Sequence, residues 1–199
     1  MDSSDDYDSP WKEAVESYFP EFIAFYFPEA SRQIDWARGH VFLDQELRAV
    51  VQDAELGKRF VDKLAKVALC DGSERWVYVH LEVQGSAQAE FAERMFVYNY
   101  RLYDRYRQPV ASLAVLADSS ANWRPNHFGF AVLGCEHELR FPAVKLLDYA
   151  AQQDQLYSNP NPFALVTLAH LLTQATRQDM NARFAAKWKL VQLLYQRGW

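Results

Sequence analysis

Alternating apolar and polar positions mark two neighbouring stretches of the chain as β-strands. The first is RFVDKLAKVAL (59–69) and the second is WVYVHLEVQGS (76–86), with an Asp-Gly turn signal between them. Period-two alternation on both sides of such a turn predicts a β-hairpin. A helix is predicted next, because apolar residues recur at intervals of four, three and four: Phe91, Met95, Tyr98 and Leu102.

The rest of the chain divides into one further buried strand and several helices. The stretch 110–118, VASLAVLAD, is nearly all apolar and suits a strand covered on both faces. Helices are predicted after Ser9-Pro10, between Pro20 and Pro28, and over 44–53, where Leu47 and either Val50 or Val51 would face inward; weaker strands follow at 127–134 and 137–147. From Asn161-Pro162 onward two more helices are predicted.

A helix that leads from one strand of a sheet to another predicts an α/β fold with mixed strand pairing. We therefore expect a mixed central sheet flanked by helices, with helical additions at both ends. The domain prediction is an acidic flexible tail at 1–9, one domain over 10–150, and a helical extension over 151–199 packed on or beside it. The absence of a capping signal after the last helix is also typical of a piece of a longer protein.

Composition predicts a folded cytoplasmic protein that does not cross a membrane. Half of the 199 residues are hydrophobic and 15% are aromatic, yet no apolar run approaches the length of a membrane span and the N-terminus lacks the pattern of a signal peptide. The two cysteines, Cys70 and Cys135, fit neither a disulfide framework nor a metal-binding pair.

The charge is unevenly distributed. The net charge is −5, but residues 1–57 hold 4 basic and 13 acidic side chains, whereas residues 58–107 hold 9 and 7. The hairpin and the helix after it are thus mildly basic, which permits a phosphate-bearing partner without demonstrating one.

The second predicted strand carries three polar residues on one face. His80, Glu82 and Gln84 lie two residues apart, so alternation puts them together, while Val77 and its odd-numbered neighbours form an apolar face that we expect in the core. The polar face is therefore either solvated or functional.

The length of the hairpin loop decides whether Asp62 joins that face. A two-residue Asp71-Gly72 turn would pair Asp62 with Leu81, facing away from Glu82. A three-residue loop, Asp71-Gly72-Ser73, would put Asp62 directly across from Glu82. We favour the three-residue loop, because two carboxylates about 5 Å apart at Cβ would form a cation site.

The chemistry of such a pair fits Mg²⁺. Two adjacent carboxylates repel, and desolvating them without a partner costs several kcal/mol. Mg²⁺ prefers oxygen ligands and keeps several waters, so Asp62, Glu82 and the carbonyl of Val83 would suffice. The bound ion would activate water and stabilise the charge developing on a phosphodiester. Gln84 would orient water or a phosphate oxygen.

An aspartate on one strand followed by Glu-x-Gln on the next resembles the PD-(D/E)XK nuclease superfamily, and in particular the Rpn-type recombination-promoting nucleases, a transposase-like group. The resemblance covers roughly residues 10–150 and includes ELGKRFVDKLAKVAL, WVYVHLEVQGS, FAERMFVYNYRLYDRYRQPVASLAVLAD and NWRPNHFG. It implies a restriction-endonuclease-like core and Mg²⁺-dependent DNA cleavage, with Mn²⁺ as a substitute ion, linked to recombination or mobile elements. It also implies a metal site at Asp62 and Glu82.

One position departs from the superfamily's motif, which usually ends in lysine where this chain has Gln84. Lys63 and Lys66 are the nearest cations that would substitute, and Lys66 has the matching strand parity, across from Tyr78 in the favoured register. The superfamily often adds a carboxylate from an earlier helix, for which Glu46 is the candidate.

His80 shares the polar face and has a pKa near neutrality, so it is either a base or phosphate contact or a packed histidine.

The predicted helix after the hairpin carries a basic stripe. Arg94, Tyr98, Arg101 and Arg105 follow one another at intervals of four, three and four. The stripe would hold DNA phosphates, with Tyr98 stacking on a base. The alternative is a solvated face in which Glu90 and Arg94 form an ordinary ion pair.

Three functions stay open from the sequence. The first is the Mg²⁺-dependent endonuclease, with Asp62, Glu82 and Gln84 as catalytic residues. The second is a catalytically degenerate module of the same fold that binds DNA or protein. The third is an interaction subunit whose C-terminal helices form a homodimer.

Overall fold

A five-stranded sheet with both parallel and antiparallel neighbours forms the centre of the computed structural model, in the order β1-β2-β3-β4-β7, and a separate two-stranded sheet pairs β5 with β6. The strands are β1 (His40–Phe42), β2 (Val61–Ala68), β3 (Glu74–Glu82), β4 (Val110–Leu116), β5 (His127–Val132), β6 (Cys135–Arg140) and β7 (Ala143–Lys145). The predicted α/β fold with a mixed sheet flanked by helices is confirmed.

The structure describes residues 8–52, 61–82 and 88–196, and for residues 8–10, 51–52, 61–62 and 78–82 it describes the backbone only. The helices in these ranges are α1 (Asp8–Ser17), α2 (Phe19–Tyr26), α3 (Pro28–Ser31), α4 (Asp44–Gln52), α5 (Phe91–Tyr106), α6 (Gln153–Ser158), α7 (Pro162–Ala175) and α8 (Met180–Gln196), with 3₁₀ turns at Trp36–Arg38 and Leu146–Gln152. No helix in these ranges is long and apolar enough to cross a bilayer.

Strands β2 and β3 form the predicted hairpin, and α5 connects β3 to the parallel strand β4. Parallel neighbours require such a crossover, because a tight turn can join only antiparallel strands. The apolar sequence of β4 matches its position, since Ser112 to Leu116 are all buried. Helix α5 ends at Arg107, which adopts a left-handed conformation (φ 54°) and donates its amide to the Tyr103 carbonyl at 2.7 Å.

Each face of the hairpin is covered by helices. On one face Phe19 of α2 packs against His40 and Phe42 of β1, with ring centroids 4.9 and 5.3 Å apart. On the other face Leu64 of β2 belongs to the buried cluster that α5 contributes to through its apolar stripe. Helices on both faces bury the middle of β2, from Lys63 to Ala65, whereas Lys66 and Glu74 near the loop stay partly exposed.

The chain divides into two units, 1–144 and 145–199. The observed boundary falls between Val144 and Lys145, whereas the sequence predicted it after residue 150. The predicted acidic tail falls mostly on residues outside those described, and helix α1 already begins at Asp8. In the second unit α7 begins at Pro162, where a helix was predicted, and Asn161 caps it by accepting the Phe163 amide at 2.8 Å.

Candidate functional site

The register of the hairpin decides which residues share a face. Asp62 pairs with His80, and Val61 pairs with Leu81. The prediction that Asp62 lies directly across from Glu82 is therefore wrong: the register is shifted by two residues. The two residues still share a face, because Glu82 is two residues beyond the partner of Asp62. The two-residue turn, which would have separated them, is excluded.

The loop geometry explains this register. The loop has three residues, as predicted, but they are Cys70, Asp71 and Gly72, closed by the Leu69 amide donating to the Ser73 carbonyl at 2.7 Å. Gly72 adopts φ 85°, the left-handed conformation that the last position of such a loop requires. The Asp71 carboxylate accepts the Ser73 amide at 2.8 Å, which holds Ser73 at the base of the strand.

Three acidic residues come from strand ends that meet at one edge of the sheet. Asp62 lies near the start of β2, and Glu82 ends β3 at the level of Leu116 in the parallel strand β4. Asp118 follows β4 two residues later and is almost fully buried, at 1% exposure. Its carboxylate accepts the Ser120 amide at 2.8 Å, among other contacts.

Asp118 is absent from the residues predicted from the sequence. The sequence pattern that could have identified Asp118 is an acidic residue directly after a buried strand. Such a residue is a site candidate because the carboxyl ends of neighbouring parallel strands reach the same edge of the sheet. The surrounding sequence, LADSS, also fits an aspartate that only closes a turn. The sequence therefore does not distinguish a site residue from a turn residue at this position.

Two predicted site residues, Val83 and Gln84, lie outside the described residues. For Asp62, His80 and Glu82 the description is limited to the backbone, so their placement rests on strand register.

Towards the hairpin loop, the face that carries Asp62 is packed rather than solvated. Leu64 is fully buried there, and Trp76 is half-buried against the Tyr106 ring, with centroids 5.1 Å apart. The opposite face is also core, as predicted, at Val77.

Lys63 lies on the opposite face of β2 from Asp62 and is almost completely buried, at 1% exposure. Its ammonium group forms ion pairs with Glu16 of α1 and with Asp44 of α4, the latter at 3.1 Å. It also lies 5.0 Å from the centroid of the Phe42 ring. These contacts tie three elements together, so Lys63 does not substitute for the lysine of the motif.

Lys66 and Glu46 lie away from the edge formed by the strand ends. Lys66 pairs with Trp76 rather than with Tyr78 as predicted, and its ammonium lies 3.5 Å from the Glu74 carboxylate near the loop. Lys66 is four residue steps, about 13 Å, along the strand from Asp62. The Glu46 carbonyl accepts the Tyr106 hydroxyl at 3.3 Å, at the end of α5 that packs on Trp76.

The basic stripe predicted along α5 is corrected for two of its four members. Tyr98 is 1% exposed within the core cluster, so it is not available to stack on a base. Arg94 is 7% exposed, donates to Gln88 Oε1 at 2.5 Å and lies 5.9 Å from the Phe91 ring centroid. Both residues lie on the buried side of α5.

The other two members of the stripe, Arg101 and Arg105, line a cavity of about 330 Å³ together with Val50 and Asp104. Arg105 donates to the Ala49 carbonyl at 3.4 Å and has further contacts. In the described part of the chain, Nη1 of Arg101 is buried without a hydrogen-bond partner. An unpaired buried guanidinium N–H is costly, so an acceptor bound in this cavity would be favoured.

The described side chains, which do not include those of Asp62 and Glu82, contain no group of three or more histidines, cysteines, aspartates or glutamates arranged to hold a metal ion. Comparisons with protein-family models, with curated proteins and with solved structures found no match for this chain.

Proposed function

We propose that the protein is a Mg²⁺-dependent DNA endonuclease that acts at the sheet edge where β2 begins and β3 and β4 end. The observation that carries the proposal is the hairpin register, in which Asp62 is one diagonal step from Glu82 on the same face. The PD-(D/E)XK family assignment remains part of this proposal, since it rests on the sequence resemblance.

The diagonal arrangement supports binding of a single cation by both carboxylates. Diagonal neighbours across an antiparallel pair lie roughly 7 Å apart. A carboxylate oxygen extends about 2 Å beyond its Cβ, and Mg²⁺ sits about 2 Å from its oxygen ligands, so both side chains reach one ion between them. The oxygen-only donor set of Asp62, Glu82 and the Val83 carbonyl suits Mg²⁺, and Mn²⁺ as a substitute.

Each residue has a defined part in the proposed hydrolysis. Asp62 and Glu82 would hold the cation, and the Gln84 amide would orient the attacking water against the phosphodiester without accepting a proton itself, so that the proton of this water would leave to bulk solvent. When bound, the ion supplies a Lewis acid that lowers the pKa of water and offsets the charge developing on the phosphate.

The two arginines that line the cavity on α5 are the proposed backbone contacts. Arg101 is ten residues from the start of α5 at Phe91, about 15 Å along the helix. Arg101 and Arg105 would therefore contact a DNA phosphate at a distance from the one that is cleaved. Such a contact positions the DNA strand without reading its sequence.

Nicking of supercoiled plasmid tests the proposal. We expect cleavage with Mg²⁺ or Mn²⁺ and none with chelator, and a loss of at least 100-fold in Asp62→Asn and in Glu82→Gln. The matched control is Glu74→Gln, a carboxylate on the same hairpin at the loop end, which should cleave like the parent chain. Equal cleavage by the parent and Asp62→Asn would refute the metal site.

A second function, a DNA-binding module that has lost catalysis, is favoured by one observation. Gln84 replaces the usual lysine, and neither Lys63, held by two acids on the other face, nor Lys66, near the loop, lies where it would compensate. Calorimetric titration separates the two functions: the nuclease binds Mn²⁺ in a manner abolished by Glu82→Gln, whereas the degenerate module binds DNA and no metal.

A further inference from the structure

An apolar stripe runs along the exposed side of α8. Its five members follow one another at intervals of four, four, three and four residues, and each is at least 49% exposed: Met180 (87%), Phe184 (72%), Trp188 (57%), Val191 (49%) and Tyr195 (86%). Single exposed apolar residues are ordinary on protein surfaces, but five aligned on one helix form a contiguous patch.

The stripe is not the face by which α8 joins its own unit. Helix α8 packs against α7, and its half-buried apolar residues are centred on the opposite side of the helix: Ala182, Ala186, Leu190, Leu193 and Leu194. With 100° between successive residues, the centres of the two sets lie about 150° apart around the helix, and Leu194 lies at the border of the stripe. Helix α8 therefore has two apolar faces, one of which is covered within its unit.

The charges of α8 decide between a lipid surface and a protein as the occupant of the stripe. Its charged residues are Arg183, Lys187 and Lys189, and Lys189 is held over the Tyr157 ring of its own unit, with its ammonium 4.1 Å from the centroid. A helix that lies in a membrane interface presents a charged face opposite its apolar face. In α8 the side opposite the stripe is apolar and packs in the unit, which favours a protein partner.

The size of the stripe suits half of a helix-to-helix interface. A fully exposed aromatic side chain contributes about 150–250 Å². Three aromatics at 57–86% exposure, with Met180 and Val191, present roughly 500–600 Å². This is the upper end of what monomers expose and approaches the roughly 800 Å² that each partner buries in a standard interface, of which the rim supplies the remainder.

We propose that α8 pairs with α8 of a second copy of the chain, in antiparallel orientation about a twofold axis. The spacing of Phe184, Trp188, Val191 and Tyr195 is four, three and four, which is the alternation of core positions in a two-stranded coiled coil. A twofold axis needs only one self-complementary surface, and the stripe carries no charge that would require an opposite charge on its partner.

The antiparallel orientation follows from side-chain size and charge. It places Phe184 against the partner's Tyr195 and Trp188 against the partner's Val191, so that the bulkiest ring meets the smallest residue of the stripe. A parallel pairing would stack Trp188 on its own copy and bring the two Lys187 ammonium groups to the same level, where like charges repel.

Sedimentation velocity of the full chain across a concentration series tests the pairing. We expect twice the 23.1 kDa chain mass for the parent and a single chain mass for Phe184→Glu/Trp188→Glu, with unchanged circular dichroism because both side chains are exposed. The control Gln192→Glu, an exposed α8 residue beside the stripe, should stay dimeric.

Two results would overturn the proposal. The first is a parent chain that stays monomeric at every concentration; if that monomer also binds vesicles of anionic phospholipid, the stripe is a lipid contact instead. The second is a double variant that dimerises like the parent, which would place the interface elsewhere. Orientation is tested by Tyr195→Cys in a chain whose two native cysteines are serine. Antiparallel pairing holds the two copies of this position eleven residues, about 16 Å, apart along the helix axis, beyond the reach of a disulfide, so rapid cross-linking would overturn the antiparallel orientation.

Discussion

The buried ammonium of Lys63 gives an asymmetric prediction for stability. Lys63 is 1% exposed, whereas the side chains of its partners Glu16 and Asp44 are 40% and 46% exposed. Removing the lysine leaves two carboxylates that water can solvate, but removing both acids leaves a buried charge without an ionic partner. The two perturbations should therefore differ in cost although each deletes the same two ion pairs.

The magnitudes follow from burial. Lys63→Met keeps an unbranched apolar side chain in the buried site and loses interactions whose other ends rehydrate, so we expect a loss of about 1–2 kcal/mol in the free energy of unfolding. Glu16→Gln/Asp44→Asn leaves the ammonium desolvated, a change that costs about 3–5 kcal/mol in comparable sites. The acid-deleted variant should be the less stable by about 2 kcal/mol.

Urea denaturation followed by tryptophan fluorescence measures these differences, since the chain has six tryptophans. The decisive comparison adds Lys63→Met to the acid-deleted variant. Removing the stranded charge should then restore stability, which a thermodynamic cycle records as a coupling energy. A triple variant no more stable than the acid-deleted one, or a Lys63→Met chain that is the least stable of the three, would refute the reasoning.

Three further predictions concern the loop, the core and a half-buried histidine. Gly72→Ala should cost about 1–2 kcal/mol by urea denaturation, from the left-handed φ alone, since a Cβ there meets no atom within 4 Å; no change would contradict the observed loop. Tyr98→Ala should lower the free energy of unfolding by about 3–5 kcal/mol, whereas Tyr100→Ala, at a position that is 57% exposed, should lower it by about 0.5 kcal/mol or less. Equal losses in the two variants would contradict the burial of Tyr98. Burial lowers the pKa of His40, opposed in part by Glu21. The folded state then binds fewer protons than the unfolded state, so stability should fall as the pH drops below about 6.5, and His40→Phe should flatten this slope.

The hairpin shows what strand patterns do and do not determine. Alternation located β2 and β3 and the loop between them. It did not determine the register, because a shift of two residues leaves every side chain on its original face. The contact that selects the register, between Asp71 and the Ser73 amide, is a local hydrogen bond that apolar periodicity does not report.

The prediction of a basic stripe on α5 was wrong for Arg94 and Tyr98 for a related reason. Two sets of residues share the spacing of four, three and four, one apolar and one basic, and Tyr98 belongs to both. Periodicity identifies a helix but does not decide which side is buried when arginine stems extend over the core. Tertiary packing assigned Tyr98 and Arg94 to the buried side and left Arg101 and Arg105 beside the cavity.

The partners of Lys63 were beyond sequence reasoning, because Glu16 and Asp44 lie on separate helices far along the chain from β2. A lysine within an alternating strand is ordinarily exposed, and only the two carboxylates make its burial tolerable.

The most direct test of the metal site is a crystal of the protein soaked in Mn²⁺ and measured for anomalous scattering. If the proposed metal site is correct, we expect one strong peak at the edge where β2 begins and β3 ends, about 2 Å from carboxylate oxygens of both Asp62 and Glu82. A peak that contacts neither residue, or a map in which these two carboxylates point to opposite faces of the sheet, would contradict it.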